Sequence, residues 1–358
     1  MNIKSLNRKL NKKFAGRVTA RLSDGCIVLT GELDDWNDVV DAGMTAATPH
    51  SSTHVVNDIV FTGAAEEKMH MPAINDKALD GEKPDVLVIG GGISGCSVAR
   101  ELSRYKLSVL LIDKEADLAL GASGRNDGEV HPGVDLSKGS LKHKYIRRAN
   151  HMYEDLCREL DVPFKRTGQY ACFTHKSWLP FVSLYAKWRR DHDGIEDTCI
   201  VMGDEIRKKE PKISADVAFA LSNPSSGSVS PYNLVIAYAE NAVQNGARVS
   251  LNTAVTGMDV SGGEIKAVYT NRGTIYPREV INCAGVYSDV VAQMAQDRFF
   301  SIHPRRGTNS ILDKKTGASF HGIASIVMSQ SPVQTHTKGG GILHTMHDNL
   351  LIGPDAVE

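Results

Sequence analysis

Cysteine is scarce in this sequence and its spacing is empty of pattern. Six cysteines are scattered over 358 residues with no CxxC pair among them, which argues against a disulfide framework and against a zinc or iron–sulfur site within the chain. Long apolar runs are missing too; none approaches the length of about 18 residues that a membrane-spanning helix needs. The N-terminus, MNIKSLNRKLNKKF, is basic, but no apolar stretch follows it, so it does not read as a signal peptide. The expectation is a cytoplasmic protein whose basic start is a solvated helix end, with contact to a membrane surface or partner as the alternative. A net charge of −1 offers no electrostatic case for nucleic acid. No Ser–His–Asp constellation is visible, and His344 and His347 have no carboxylate or cysteine at ligand spacing, so no metal site is expected. What remains, 41% apolar and 23% charged residues, is ordinary for a globular chain of two or three domains.

The stretch that organises the chain is DVLVIGGGISGCSVARELSRYKLSVLLID, Asp85 to Asp113. A short β-branched run, Val86 to Ile89, leads into Gly90, Gly92 and Gly95 at dinucleotide spacing. A helical stretch follows, then a second apolar run, Val109 to Ile112, closed by Asp113. This is one βαβ unit. Gly90 permits the tight turn, Gly92 lets backbone approach a pyrophosphate, and Gly95 lets helix and strand pack closely. The first-turn amides at Ile93 and Ser94 would face the phosphates, where the helix dipole favours negative charge. Asp113 is placed to accept hydrogen bonds from ribose hydroxyls.

Ahead of this unit, residues 1–80 read as a small module running into a linker. Val18–Leu22 and Ile27–Leu29 are expected as strands about a Ser23-Asp24-Gly25 turn, Trp36–Ala47 as a helix, and Val55–Val60 as a closing strand. The run DGCIVLTGELDDW…HVVNDIV resembles a BON domain, a module associated with binding. Residues 64–83 are polar and without period, and read as linker. Cys96 and Cys283, beside glycine turns, read as packing residues.

Behind the unit, Gly121 to Gly133 has the form G-x-S-x-x-N-x-G-x-x-H-x-G and should be an ordered loop that brings backbone close to a ligand. With this loop, Asp85 to Gly133 resembles the FAD-dependent D-amino-acid-oxidase-like superfamily, and within it the glycerol-3-phosphate dehydrogenase and L-2-hydroxyglutarate dehydrogenase branches. The resemblance continues through Gly139–Phe173, Gly203–Pro211, Ser222–Val249, Glu279–Met294 and His303–Asp313, and into the tail. On its own pattern, Gly139–Phe173 is an amphipathic helix (Tyr145, Met152, Tyr153, Leu156 and Leu160 forming its apolar face) and a strand. Pro231–Gln244 is a long helix stopped at Asn245-Gly246, and Arg248–Tyr276 is a β-meander.

The resemblance implies an α/β architecture with an α+β substrate part: a Rossmann-like FAD-binding fold (segments 84–157 and 223–298) interrupted by a substrate domain (158–222 and 299–358), preceded by the BON-like module. It implies FAD held by Gly90, Gly92, Ile93, Ser94, Gly95, Asp113, Lys114, Ser123, Asn126, Gly128, Val255, Ala284 and Gly285. His131 becomes the candidate base, since imidazole titrates near neutrality; Glu129, two residues before it, would either raise its pKa or face solvent. Arg305 and Arg306, with Arg125 in reserve, are candidates for holding an anionic substrate, because guanidinium binds carboxylate or phosphate through two parallel bonds. If the two arginines share a strand, only one of them can face the site. Members of these branches continue past the point where this sequence stops, so the resemblance also implies a C-terminal truncation or a fragment. The expected activity is oxidation of a small anionic hydroxy substrate, glycerol-3-phosphate before L-2-hydroxyglutarate. The alternatives are an amino-acid oxidase of the same superfamily and an inactive remnant or binding protein. A quinone or an acceptor protein is an open partner.

Overall fold

The computed structural model describes residues 2–47, 54–64, 69–195, 197–326 and 341–355. The chain forms two compact units, residues 1–121 with 239–305 and residues 122–238 with 306–357.

In the first unit, α1 (Ile3–Lys13), β1 (Val18–Ser23), β2 (Cys26–Leu33), α2 (Trp36–Ala46) and β3 (Val55–Phe61) make the N-terminal module. β1 and β2 form a hairpin whose two turn residues, Asp24 and Gly25, both have positive φ, the conformation favoured by an Asp-Gly pair. β3 joins β2 in parallel. The basic start is not a solvated helix end. Leu6 and Leu10 of α1 are fully buried against Leu29, Leu33 and Val39, each burial stabilising by about 1.5–3 kcal/mol, while the lysines take the outer face. Their spacing of four residues places both leucines on one helix face, a signal hidden by the charge around them.

The module is bonded to the rest of its unit. Within the same unit, Asn57 N–H donates to Ser301 Oγ at 2.8 Å, Asn57 Nδ2 lies 2.9 Å from His303 Nε2, and Arg298 pairs with Asp58 at 2.7 Å. The second half of the linker is likewise bound: Leu79 and Gly81 donate to the carbonyls of Arg272 and Thr274, Arg272 pairs with Asp76, and Leu79 is buried. A loop held by backbone bonds and one leucine has no period to betray it. His70 is exposed.

The chain then enters β4 (Val86–Ile89), α3 (Ile93–Leu102) and β5 (Val109–Ile112). Every residue of both strands is buried, as expected of a parallel sheet covered on both faces. In the second unit follow β6 (Glu129–Val130), α4 (Leu141–Glu159), β7 (Phe164–Lys165), β8 (Gln169–Phe173), α5 (Leu179–Asp193), β9 (Cys199–Met202), α6 (Gly203–Lys209), β10 (Phe219–Asn223) and β11 (Gly227–Val229). Helix α7 (Pro231–Gln244) returns the chain to the first unit and is followed by a turn at Gly246, whose φ is +96°. There lie β12 (Arg248–Ser250), β13 (Val255–Ser261), β14 (Glu264–Thr270), β15 (Gly273–Ile275), β16 (Glu279–Asn282) and α8 (Ser288–Met294). The last elements, β17 (Ser310–Leu312), α9 (Lys314–Gly317), β18 (Ile323–Ile326), β19 (Gly341–His344) and β20 (Leu350–Gly353), belong to the second unit.

In the first unit a parallel sheet has the order β12-β5-β4-β16, and β13-β14-β15 form an antiparallel meander. Order reverses beside β4, which places a switch point at the carboxyl end of that strand. In the second unit a seven-stranded sheet runs β17-β20-β19-β18-β8-β10-β9, and a small sheet runs β6-β11-β7. Alternate residues of β8 and β10 divide between two cores: Cys172 and Ala220 pack with Ile206 of α6, and Phe219 and Leu221 with Val182 and Ala186 of α5. The expected apolar face of α4 is corrected. Its buried residues are His143, Asn150 and Cys157, whereas Tyr145 and Met152 are exposed. A polar residue with hydrogen-bond partners can hold the inner face, and hydropathy does not register it.

Candidate functional site

The glycine turn of the first unit is made of backbone contacts. Gly90 has φ +112°, and a Cβ there would stand 2.3 Å from the Cys283 carbonyl oxygen. At Gly95 a Cβ would meet the Gly90 carbonyl oxygen at 1.8 Å, so α3 rests directly on the strand end. Gly92 differs: its φ of −84° and ψ of −173° are open to any residue. It caps α3 with no side-chain bond, which leaves first-turn amides such as those of Ser94 and Gly95 to an outside acceptor.

Asp113 closes the turn from the other side. Its Oδ2 accepts from Gly91 N–H at 2.5 Å and its Oδ1 from Glu115 N–H at 2.8 Å; each oxygen keeps a further lone pair. The backbone after β12 docks on the same corner, with Thr253 N–H donating to the Asp113 carbonyl and Asn252 N–H to that of Glu115, and it delivers Val255. Lys114 pairs with Glu115 and lies 5.2 Å from the Tyr287 ring centroid. Ala284 and Gly285 follow the Cys283 carbonyl that covers Gly90. The structure therefore gathers the expected residues from Gly90 to Gly95, Asp113, Lys114, Val255, Ala284 and Gly285 into one region of the first unit. Cys96 beside them is fully buried, and burial pushes its thiol up to about 12; it is packing, as is Cys283, whose thiol burial also raises.

In the second unit the loop is shaped by its own side chains. Asn126 Nδ2 donates to the carbonyls of Ala122 and Ser123 while its Oδ1 accepts from Gly128 N–H at 2.9 Å. Gly128, at φ +71°, lets β6 lie on β11, where a Cβ would strike the Val229 carbonyl oxygen at 2.3 Å. Beyond it, His131 Nδ1 stands 3.4 Å from Glu129 Oε1; the imidazole is 43% exposed and the carboxylate 9%. Glu129 does not face solvent. It accepts from Gln169 Nε2 at 2.8 Å and from Ser226 Oγ at 3.3 Å. Burial raises its pKa, opposed by the neighbouring His131.

A second layer fixes the backbone under His131. Asn150 Nδ2 donates to the carbonyls of His131 and Ser225, and Arg166 binds Asn150 Oδ1 at 3.1 Å and the Asn150 carbonyl at 2.7 Å. Sequence reasoning missed Gln169, Ser226, Asn150 and Arg166; the one available signal was a polar Asn at a core-facing register of α4. His347 Nε2 lies 3.2 Å from Ser230 Oγ, and His344 is half-buried, which lowers its pKa. Arg125, Arg305 and Arg306 are all exposed. The two adjacent arginines do not share a strand: both precede β17, and only Arg306 makes an isolated bridge, so strand alternation does not assign them to opposite faces.

A sequence model of the family described as FAD dependent oxidoreductase matches residues 85–358. The chain belongs to that family. A glycerol 3-phosphate dehydrogenase from Caloramator mitchellensis is 37% identical over 273 residues, 76% of this chain and 55% of the relative. An L-2-hydroxyglutarate dehydrogenase from Indibacter alkaliphilus is 33% identical over 62% of this chain and 56% of its own length. This chain thus spans about half the length of these two relatives. Among solved structures, the L-alpha-glycerophosphate oxidase of Mycoplasma pneumoniae with FAD bound is similar with a TM-score of 0.68 and 26% identity, covering 77% of this chain and 72% of that one.

The cofactor of this family is FAD. The first unit fits the dinucleotide part: a turn in which Gly90 and Gly95 leave no room for a Cβ, and a helix start without a side-chain cap. Among the described residues no helix is long and apolar enough to cross a membrane.

Proposed function

We propose that the chain carries the flavin-binding and part of the substrate-binding portion of a dehydrogenase or oxidase that oxidises a small anionic alcohol, with glycerol-3-phosphate as the first substrate to test. The observation that carries this reading is the 37% identity to a glycerol 3-phosphate dehydrogenase across 76% of the chain. In this proposal Gly90, Gly92, Ile93, Ser94 and Gly95 hold the pyrophosphate, Asp113 the ribose, Lys114 and the backbone at Val255 the adenosine end, and Ala284 with Gly285 the chain toward the flavin. Ser123, Asn126 and Gly128 present the loop to the cofactor. Bound FAD supplies the two-electron acceptor.

The chain's own residues handle the proton. His131 takes the hydroxyl proton at Nε2, because Glu129 lies on the Nδ1 side and favours the tautomer protonated there. Glu129 is a positioning residue, held by Gln169 and Ser226. Arg125, Arg305 or Arg306 supplies the guanidinium for the anionic tail. L-2-hydroxyglutarate is the second reading, favoured by the 33% identity to a dehydrogenase of that compound. The BON resemblance and the α1-β1-β2-α2-β3 order together support a binding role for the N-terminal module.

The test is anaerobic titration of the FAD-loaded protein. Bleaching of the flavin absorbance by glycerol-3-phosphate, and not by L-2-hydroxyglutarate or amino acids, is expected. Bleaching by amino acids alone would overturn the alcohol reading.

A further inference from the structure

We propose that the outward face of α5, with the basic first half of α4, docks on an anionic lipid surface. α5 buries Val182, Ala186 and Arg189. Its other face is apolar and open: Phe181 and Leu184 are each 69% exposed, Trp188 39%, and Trp178 just before the helix 44%. Residues 181, 184 and 188 follow at helical spacing, so they form one stripe. A stripe this apolar facing water marks an interaction surface.

Charge identifies the occupant. Between Asp135 and Glu154 the chain has no acidic residue, against Lys138, Lys142, Lys144, Arg147 and Arg148. Between Phe173 and Asp191 it again has none, against Lys176, Lys187, Arg189 and Arg190. Three of these charges are committed to acids of the chain itself: Arg189 is buried on Asp193, Lys138 reaches the same carboxylate at 3.3 Å, and Lys187 pairs with Asp191. The two segments meet at Lys138, whose Nζ bonds the His192 carbonyl and lies 5.7 Å from the Trp188 ring centroid. α4 adds Leu141 and Tyr145, both exposed, on either side of Lys142 and Lys144, which are exposed as well. Aromatic and aliphatic side chains on a helix lying in the interface, rimmed by lysine, match a bilayer with anionic headgroups. A protein partner would need an acidic surface to match this rim and is the outcome the test must separate.

The experiment uses the full FAD-loaded chain with phosphatidylcholine vesicles, with and without phosphatidylglycerol. Two of the three tryptophans, Trp178 and Trp188, lie on the face, so the emission should shift to the blue as the protein sediments with anionic vesicles, and salt should reverse it. A Phe181→Asp, Leu184→Asp variant keeps both reporters, and should partition at least about tenfold more weakly with unchanged circular dichroism and flavin absorbance. Lys142→Glu and Lys144→Glu leave the apolar stripe intact and should each weaken binding to anionic vesicles about fivefold. No sedimentation with anionic vesicles, equal binding without phosphatidylglycerol, or a double-aspartate variant that binds like the parent would overturn the proposal. So would a dimer that the variant dissolves in the absence of vesicle binding, which would make the face a contact between copies.

Discussion

The turn at Gly90–Gly95 and the loop at Gly121–Gly133 are both rich in glycine, yet they are built in opposite ways. In the turn, backbone rests on backbone, and the constraint at Gly90 and Gly95 is the absence of a side chain. In the loop, glycine only opens room at Gly128; the shape comes from the Asn126 amide, the Asn150–Arg166 pair beneath His131, and the polar pocket around Glu129. A backbone cradle tolerates almost any surrounding sequence and suits a cofactor that is always the same. A side-chain pocket is assembled from residues distant in sequence, and changes with each of them, as substrate chemistry requires.

The largest effects should separate the two kinds of construction. Gly95→Val forces a Cβ onto the Gly90 carbonyl, and should cost about 4 kcal/mol or more, the range of a severe core insult, with loss of FAD. Gly92→Val meets no backbone barrier at φ −84°. It should leave thermal unfolding nearly unchanged while FAD uptake, followed by absorbance, is lost. Normal uptake by that variant would remove Gly92 from the phosphate turn. Next in size, His131→Ala should retain FAD but slow substrate reduction of the flavin by about 10²–10⁴-fold, the usual scale of general base catalysis. Stopped-flow reduction measures it, and a rate within a factor of about two of the parent would dismiss His131 as the base. Smaller again, Arg306→Ala should raise KM with little change in kcat if that guanidinium holds the anionic tail, the signature of lost uniform binding.

These effects also mark what the sequence could reveal. The βαβ unit was legible because a short buried run, a glycine at a conformation that needs one and a strand-end acid are all local. Helix α7 was legible to the residue, since Pro opens it and Asn-Gly closes it. The turn between β1 and β2 was legible for the same reason, although Ser23, read as part of it, pairs with Cys26 inside the hairpin and leaves Asp24-Gly25 as the turn. The pocket around Glu129 was not. Gln169 lies on β8 and Ser226 just before β11; the pairing of β11 with β6 brings Ser226 to Glu129, and the Gly168 N–H on the Ser226 carbonyl sets Gln169 beside it. α5 escaped notice because its outward face is as apolar as its inward one, so amphipathic periodicity is weak. α4 was read on its wrong side because Asn150 and His143 occupy the face where apolar residues were expected.

Glu129 offers the finest test of the side-chain pocket, through stability as well as rate. Burial favours the protonated carboxyl, so in the folded chain its pKa lies above the ordinary Glu value. Across the window between those two values the folded state binds more protons than the unfolded one, and stability must fall as pH rises. Glutamine cannot ionise. Glu129→Gln should therefore match the parent near the acid end and gain on it with rising pH, by about 1 kcal/mol at most, read as a difference in Tm between about pH 5 and pH 8. His131 opposes the shift, so His131→Ala should steepen the loss for the parent carboxylate. In activity the order inverts: Glu129→Gln should reduce flavin more slowly and move the pH profile of the rate, because Nδ1 of His131 loses its anionic partner. A Tm difference flat in pH would mean that Glu129 is hydrated in solution, and a pH profile that stays in place would separate it from His131. A variant more stable at neutral pH and slower at the same pH would show that the buried carboxylate is kept for orientation at a cost in stability.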